Sequence, residues 1–317
     1  MTEFSWPRVA VVGAGAVGCY YGGMLARAGA PVTLIGRPVH VAAIERDGLL
    51  LETTRFTARV PVAASTEIAA VRGAELVLFC VKSTETDATA QALAPQLAPG
   101  AIVLSMQNGV DNLERLRAHV SGPAFAAVVY VAVAMAGPGH VRHTGRGDLV
   151  IGAVALTGQQ GAQPMLERVA GWMRRAEIGC VVSDNVEGEL WAKLLINCAY
   201  NAISALGHAR YRRIGAHPAA LSVLKEAVRE VVAVAQAAGV RLPEGDLVEA
   251  ACGISRSMAE ATSSTAQDIA RGKRTEIDHL NGYVVRRGEA LGVPTPVNRT
   301  LHALVKLLEE AGEDEAH

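Results

Sequence analysis

Six residues near the N-terminus, Gly13-Ala14-Gly15-Ala16-Val17-Gly18, constrain the fold of this chain more than any other segment. They follow an apolar, β-branched run, Arg8–Val12, and open a helical stretch that reaches about Ala28. A G-x-G-x-x-G turn between a strand and a helix has a physical purpose. Gly13 permits a tight turn, Gly15 lets a phosphate group approach the backbone, and Gly18 lets the helix lie close on the strand. The helix start then offers unpaired N–H groups and a partial positive charge to an anion. Residues Gly13, Ala14, Gly15, Ala16, Val17 and Gly18 are therefore the candidate dinucleotide phosphate loop.

The surrounding pattern agrees. Short apolar runs at Pro31–Ile35, Glu75–Val81 and Ala101–Leu104 alternate with helical stretches, among them Ala88–Leu97. Continuous apolar runs of this length suit strands buried on both faces. Strands separated by helices predict a doubly wound parallel sheet. Val128–Ala136, Gly139–His143 and Asp148–Ile151 read as three further strands, joined by Gly-Pro-Gly and Gly-Arg-Gly turns and able to extend the sheet in antiparallel fashion. Met165–Arg175 reads as a helix and Gly179–Ser183 as the last strand. Beyond Ser183 only helical periodicity remains, over Glu187–Leu206, Pro218–Ala238, Asp246–Met258, Glu276–Leu291 and Pro296–Glu310. The expected organisation is a sheet domain over residues 1–184 and an all-helical domain over residues 185–317.

The end of the second strand bears on the choice of cofactor. A site for the unphosphorylated dinucleotide carries an acid there, to bond the ribose 2′-OH. Here the sequence reads Leu34-Ile35-Gly36-Arg37-Pro38, with no acid before Glu45. A guanidinium at Arg37 would grip a 2′-phosphate, which predicts NADP(H); the plainer reading is an exposed arginine opening a loop. Ligands of open α/β sheets bind beyond the carboxyl ends of strands, which makes Lys82 and Asn108 candidates for the nicotinamide and substrate end. A lysine after a strand is also often just solvated, and Asn-Gly is often just a turn.

In the helical half, Trp191–Asn201 is apolar except at Lys193, Asn197 and Asn201. Spacing of four puts all three on one stripe. Asparagines are poor helix formers, so a stripe holding two of them suits ligand binding better than solvation. Ser263-Ser264-Thr265-Ala266-Gln267-Asp268 resembles a capping box or a polar ligand contact. Glu276, taken alone, reads as a surface acid near a helix start. His143 and His279 read as ordinary hydrogen-bonded or surface residues.

Bulk properties exclude several classes. The formal net charge of −1 gives no basic excess for nucleic acid, and no charge block marks a tail. Glu309–Glu315 reads as a solvated, frayed helix end. The five cysteines have no C-x-x-C spacing, which argues against a zinc site or a disulfide framework and fits a reducing cytoplasm. Met1–Pro7 lacks the pattern of a signal peptide. Ala126–Ala136 is too short to cross a bilayer. No metal, nucleic-acid or membrane partner is expected.

Together these pieces resemble the ketopantoate reductases. The resemblance rests on the Gly13–Gly18 loop, Lys82, Gln107-Asn108-Gly109, Gly137-Pro138-Gly139 and the Lys193…Asn197…Asn201 helix. It continues through Ser263-Ser264…Gln267-Asp268, Thr275-Glu276-Ile277-Asp278…Asn281-Gly282 and Gly292-Val293-Pro294-Thr295-Pro296. It implies a Rossmann-type domain followed by a helical one, and NADPH-dependent reduction of 2-dehydropantoate to (R)-pantoate for pantothenate and coenzyme A synthesis. It implies Lys193 as general acid and Glu276 as its partner. Asn108, Asn197, Asn201 and Ser264 are implied as substrate contacts, and Arg37 as the 2′-phosphate contact. Two other readings stay open: a related reductase of another small 2-oxo acid, and a non-catalytic NADP-binding protein. A homodimer is a further expectation, from an apolar face on the helical domain.

Overall fold

A computed structural model describes residues 5–154 and 161–314, apart from the side chains of the last three. Residues 1–4 of the leading segment and Glu315 of the acidic end lie outside the described residues. The chain divides into two compact units, Met1–Val186 and Glu187–His317.

The first unit is built on one sheet. Its central strands β1 (Val9–Val12), β2 (Val32–Ile35), β6 (Leu76–Phe79) and β7 (Ile102–Ser105) are short, apolar and almost entirely buried. With β5 (Ala63–Ser65) and β8 (Ala124–Gly137) they form a wholly parallel array in the order β5-β2-β1-β6-β7-β8. Without the intervening hairpin, this is the strand order of a doubly wound dinucleotide fold. The sheet then continues in mixed fashion. β9 (His140–Gly152) is antiparallel to β8, while β3 (Leu49–Glu52) and β10 (Cys180–Val182) run parallel to β9. β4 (Thr57–Val60) closes the far edge beside β3.

This extension curls the sheet around helix α1 (Ala16–Arg27), which packs on β1 and β2 on one side and on β3, β8 and β9 on the other. Glycines make the double contact fit. A Cβ at Gly22 would meet Leu34 Cδ2 at 2.7 Å and Val11 Cγ2 at 2.9 Å, and one at Gly23 would meet Leu49 Cδ2 at 2.7 Å from the opposite wall. Cys19, Tyr21, Met24 and Leu25 fill the rest. Burial without a neighbouring cation pushes the Cys19 thiol up to about 12, so it remains a neutral packing group.

Two sequence expectations are corrected here, and one stretch that the sequence left without elements is filled. The Gly-Arg-Gly segment at 145–147 is no turn: β9 runs through it as one strand, and the register with β8 slips past Thr144 and Gly147 as bulges. Arg146 has a φ of 53° there and still pairs with Asp148 at 2.5 Å. The stretch Pro38–Ser65, which shows no clear period in sequence, holds helix α2 (Pro38–Asp47) and strands β3 to β5. The helix expected over Ala88–Leu97 is α3 (Thr86–Leu93), ending in a 3-10 turn at Ala94–Gln96 where Pro95 cannot donate a backbone bond. α4 (Asn112–Arg117) and α5 (Ala162–Arg175) complete the unit.

The second unit is helical: α6 (Val186–Leu206), α7 (Tyr211–Ala216), α8 (Pro218–Ala237), α9 (Leu247–Ser257), α10 (Ser264–Ile269), α11 (Asn281–Leu291) and α12 (Pro296–Asp314). The helix expected from Glu276 is interrupted. Ile277–His279 is a 3-10 turn, and α11 starts only at Asn281, because Leu280 (ψ −104°) leaves the helical region. The acidic end is likewise not simply solvated. Glu309 turns inward with an 8 % exposed side chain. Among the described residues no helix is long and apolar enough to cross a membrane.

Candidate functional site

In the first unit the glycine loop behaves as its spacing requires. Gly13 has a φ of 102°, and a Cβ there would lie 2.7 Å from the Cys80–Val81 peptide. A Cβ at Gly18 would fall on the Gly13 carbonyl oxygen and 2.8 Å from Val11 Cγ1. Gly15, by contrast, has nothing within 4 Å of its Cβ position. The loop is thus closed on its protein side and open at Gly15. The first turn of α1 has no side-chain cap and no acidic residue, so its N–H groups and positive end face that opening without protein compensation. This cradle fits the pyrophosphate of a dinucleotide.

The other first-unit candidates border the loop. The N–H groups of Gly13 and Ala14 both donate to the Ile35 carbonyl at 2.9 Å. A Cβ at Gly36 would lie 2.5 Å from the Ala14 methyl. Arg37 therefore follows directly after a segment packed on the loop. It is exposed at the N-cap of α2, with Pro38 in the first helical position. Its guanidinium has no ion-pair partner among the described residues. Lys82 stands one residue beyond the peptide that Gly13 packs against, at the start of the 3-10 turn Ser83–Glu85. Asn108 lies in the loop after β7, and its carbonyl accepts from Ser83 Oγ at 3.0 Å and Asn112 Nδ2 at 2.6 Å. The structure thus brings Gly13–Gly18, Arg37, Lys82 and Asn108 to the carboxyl ends of four neighbouring strands, β2-β1-β6-β7.

Sequence reasoning missed what holds two of these loops together. Asn112 Nδ2 donates to Ser83 Oγ at 3.1 Å, and Thr86 Oγ1 donates to Asn112 Oδ1 at 2.9 Å. Gln107 Nε2 donates to Thr86 Oγ1 at 2.7 Å, and Ser105 Oγ to Gln107 Oε1 at 3.1 Å. All five side chains are buried. A buried network with each member bonded fixes loop geometry, and losing one member strands its partners at about 1–3 kcal/mol. The signal was available as polar residues directly after two apolar strands.

In the second unit Lys193, Asn197 and Asn201 lie on one stripe of α6, between Trp191, Leu194, Leu195, Cys198 and Tyr200, all buried. Asn201 is 3 % exposed, yet its side-chain amide has no hydrogen-bond partner among the described residues. The Asn197 amide likewise has none. Asn197 is half-buried, so the stripe forms a polar edge on an apolar helix, of the kind that suits a ligand. Ser263 caps α10, accepting from the Ala266 N–H at 3.0 Å and donating to the Asn201 carbonyl at 3.1 Å. The cap is thus one residue earlier than a Ser264–Gln267 box, and Gln267 instead donates to the Thr262 carbonyl at 3.4 Å. Ser264 follows as an exposed hydroxyl beside the Asn201 end of the stripe. Glu276 is half-buried rather than a free surface acid. Asn281, five residues on, ties its segment to α6 by donating to the Cys198 carbonyl at 3.2 Å. His143 is structural: its ring stacks on Tyr20 with centroids 4.5 Å apart, and Nε2 bonds the Arg146 carbonyl.

Comparison with known proteins identifies the family. Residues 9–155 match the family model described as ketopantoate reductase PanE/ApbA, and residues 185–309 match that of its C-terminal part. The chain is 36 % identical to a 2-dehydropantoate 2-reductase of Halobacterium salinarum, over 96 % of this chain and all of the relative. It is 33 % identical to one from Pyrococcus abyssi, over 94 % and 97 % of the two chains. The solved PanE/ApbA family ketopantoate reductase from Ralstonia eutropha superposes with a TM-score of 0.90 at 53 % identity, covering 96 % of this chain and 99 % of that one. The chain belongs to the ketopantoate reductase family and is an oxidoreductase.

Proposed function

We propose that this protein reduces 2-dehydropantoate to (R)-pantoate with NADPH, as a step towards pantothenate and coenzyme A. The observation that carries the reading is the α6 stripe, where a lysine and two asparagines line up at a spacing of four in an otherwise apolar helix. The glycine loop would hold the pyrophosphate, Arg37 the 2′-phosphate, and Lys82 and Asn108 the nicotinamide end. When bound, the reduced nicotinamide supplies a hydride to the 2-oxo carbon. The Lys193 ammonium stabilises the negative charge that develops on the substrate oxygen and donates its proton there, leaving a neutral amine that solvent reprotonates. Glu276 orients that ammonium. Asn197, Asn201 and Ser264, with Asn108, hold the carboxylate and hydroxyl of the substrate. The five cysteines are free thiols, which suits a reducing cytoplasm.

Lys193→Ala should lower kcat for 2-dehydropantoate by about 100-fold or more while NADPH binding, followed by fluorescence titration, stays near normal. Unchanged turnover would remove Lys193 from the chemistry. Arg37→Ala should weaken NADPH and leave NADH alone; equal weakening of both would refute the phosphate contact. Turnover on a panel of small 2-oxo acids tests the substrate, and a faster reaction with a different 2-oxo acid would replace it.

A further inference from the structure

Helix α12 carries a cluster of charged side chains that the proposed reaction does not use. Glu309 Oε1 accepts from both the N–H and the hydroxyl of Thr275, at 2.7 and 2.5 Å. The same hydroxyl accepts from the Ile277 N–H at 3.2 Å and so spans residue 276. On the other flank, Asp278 Oδ1 lies 2.7 Å from His302 Nε2, and Asp278 Oδ2 accepts from Lys306 Nζ at 3.1 Å. Lys306 Nζ also donates to Glu309 Oε2 at 2.7 Å and closes the ring. Between the flanks, Ile277 is fully buried against Ala202, Ala227, Leu301 and Val305.

We propose that Glu309, Lys306 and His302 form a clamp that grips Thr275 and Asp278 and thereby sets the direction of the Glu276 carboxylate between them. They are positioning residues, and the proposal rests on the role given to Glu276 above. Physical need supports it. Residues 275–280 form a single 3-10 turn, held in the backbone by His279 N–H to the Glu276 carbonyl and Leu280 N–H to the Ile277 carbonyl. Such a turn has poorer hydrogen-bond geometry than an α-helix and does not fix a side chain by itself. Side-chain bonds from a neighbouring long helix supply what the turn lacks. Asp278, Glu309 and Lys306 are also held in their charged forms. Burial pushes Asp278 and Glu309 up, but their bonds to His302, Lys306 and Thr275 outweigh it and hold both below the usual carboxylate range. Lys306 is lowered by burial and raised, on balance, by its two carboxylates. Arg286 adds a further hold on this flank by donating to the Asp278 carbonyl at 2.9 Å.

The test is steady-state reduction of 2-dehydropantoate by NADPH with the full chain. It compares Glu309→Gln, Asp278→Asn, Lys306→Met and Lys306→Arg with Glu276→Gln, each checked by thermal melting. The expected result is a kcat lower by about 10-fold for the first three, with KM for NADPH unchanged, as for a small misplacement of a reacting group. Lys306→Arg should recover most of the kcat lost in Lys306→Met. On a Glu276→Gln background, Asp278→Asn should cost nothing further, because it acts through the missing carboxylate. Folded Glu309→Gln and Lys306→Met enzymes with normal kcat, or losses that add in full on that background, overturn the clamp while leaving Glu276 in place. A Glu276→Gln enzyme with normal kcat removes the role of Glu276, and the clamp with it.

Discussion

Helices α1 and α6 are both apolar and both buried, yet the sites proposed on them are of opposite kinds. α1 has no ionisable group facing its ligand opening; what matters there is where backbone atoms can come close. Its glycines are fixed by contacts with β1, β2 and β3. α6 carries its proposed site as side chains, on a polar stripe along an apolar helix. The first proposed site is a shape made by missing atoms, the second a row of polar side chains on an apolar helix. A substitution in the first should therefore damage folding and binding together, and one in the second should separate them.

The sharpest way to break this contrast lies within the glycine loop. Gly18→Ala drives a methyl into the Gly13 carbonyl and should cost about 1–3 kcal/mol, a melting temperature lower by several degrees, together with loss of NADPH binding. Gly15→Ala points into open space, so the melting temperature should hold while NADPH affinity falls. Equal melting temperatures for the two variants would refute the close-packing account.

The corresponding experiment on α6 is Asn201→Leu. Removing an amide that makes no protein hydrogen bond should leave thermal stability unchanged or raise it by about 1 kcal/mol. Turnover should fall by about 10-fold or more. A destabilised variant with normal turnover would make Asn201 a structural residue.

The smallest effect concerns acid. Asp278 and Glu309 titrate below their ordinary range when folded, so the stability they lend is complete above the unfolded carboxylate range and is lost as pH falls through their folded values. The melting temperature should therefore drop below about pH 4, and Lys306→Met should flatten that drop. Identical acid profiles for the two proteins would mean that Lys306 does not hold the carboxylates down.

Much of this was legible because local rules and the final fold agreed. The strands β1, β2, β6 and β7 are continuous apolar runs, and the loop before α1 has a spacing with few other uses. The α6 stripe was equally readable from a four-residue period. The region from Pro38 to Ser65 was not. β4 reads Thr-Ala-Arg-Val, and its place is set by pairing with β3, which in turn pairs with residues about 90 positions away. No short window contains that partner. The same holds for the site: Glu276 looked like a surface acid because Glu309, Lys306 and His302, which surround its neighbours, arrive from a helix some 25 to 35 residues later. Gly147 was misread because glycine marks both turns and bulges, and only the length of the β8 partner decides between them.

The curl of the sheet has a consequence for how the chain is made. Helix α1 can pack on β1 and β2 once residue 35 has emerged, but its opposite side is covered by β3, β8 and β9, the last of which ends at Gly152. Until that distant stretch has emerged, the β3–β4 hairpin that covers Gly23 has no strand joining it to the rest of the sheet. The loop before α1 has all its packing partners once residue 81 has emerged, whereas the far side of the helix is fully covered only after Gly152 has, so the two ends of this one structure close at different stages of synthesis.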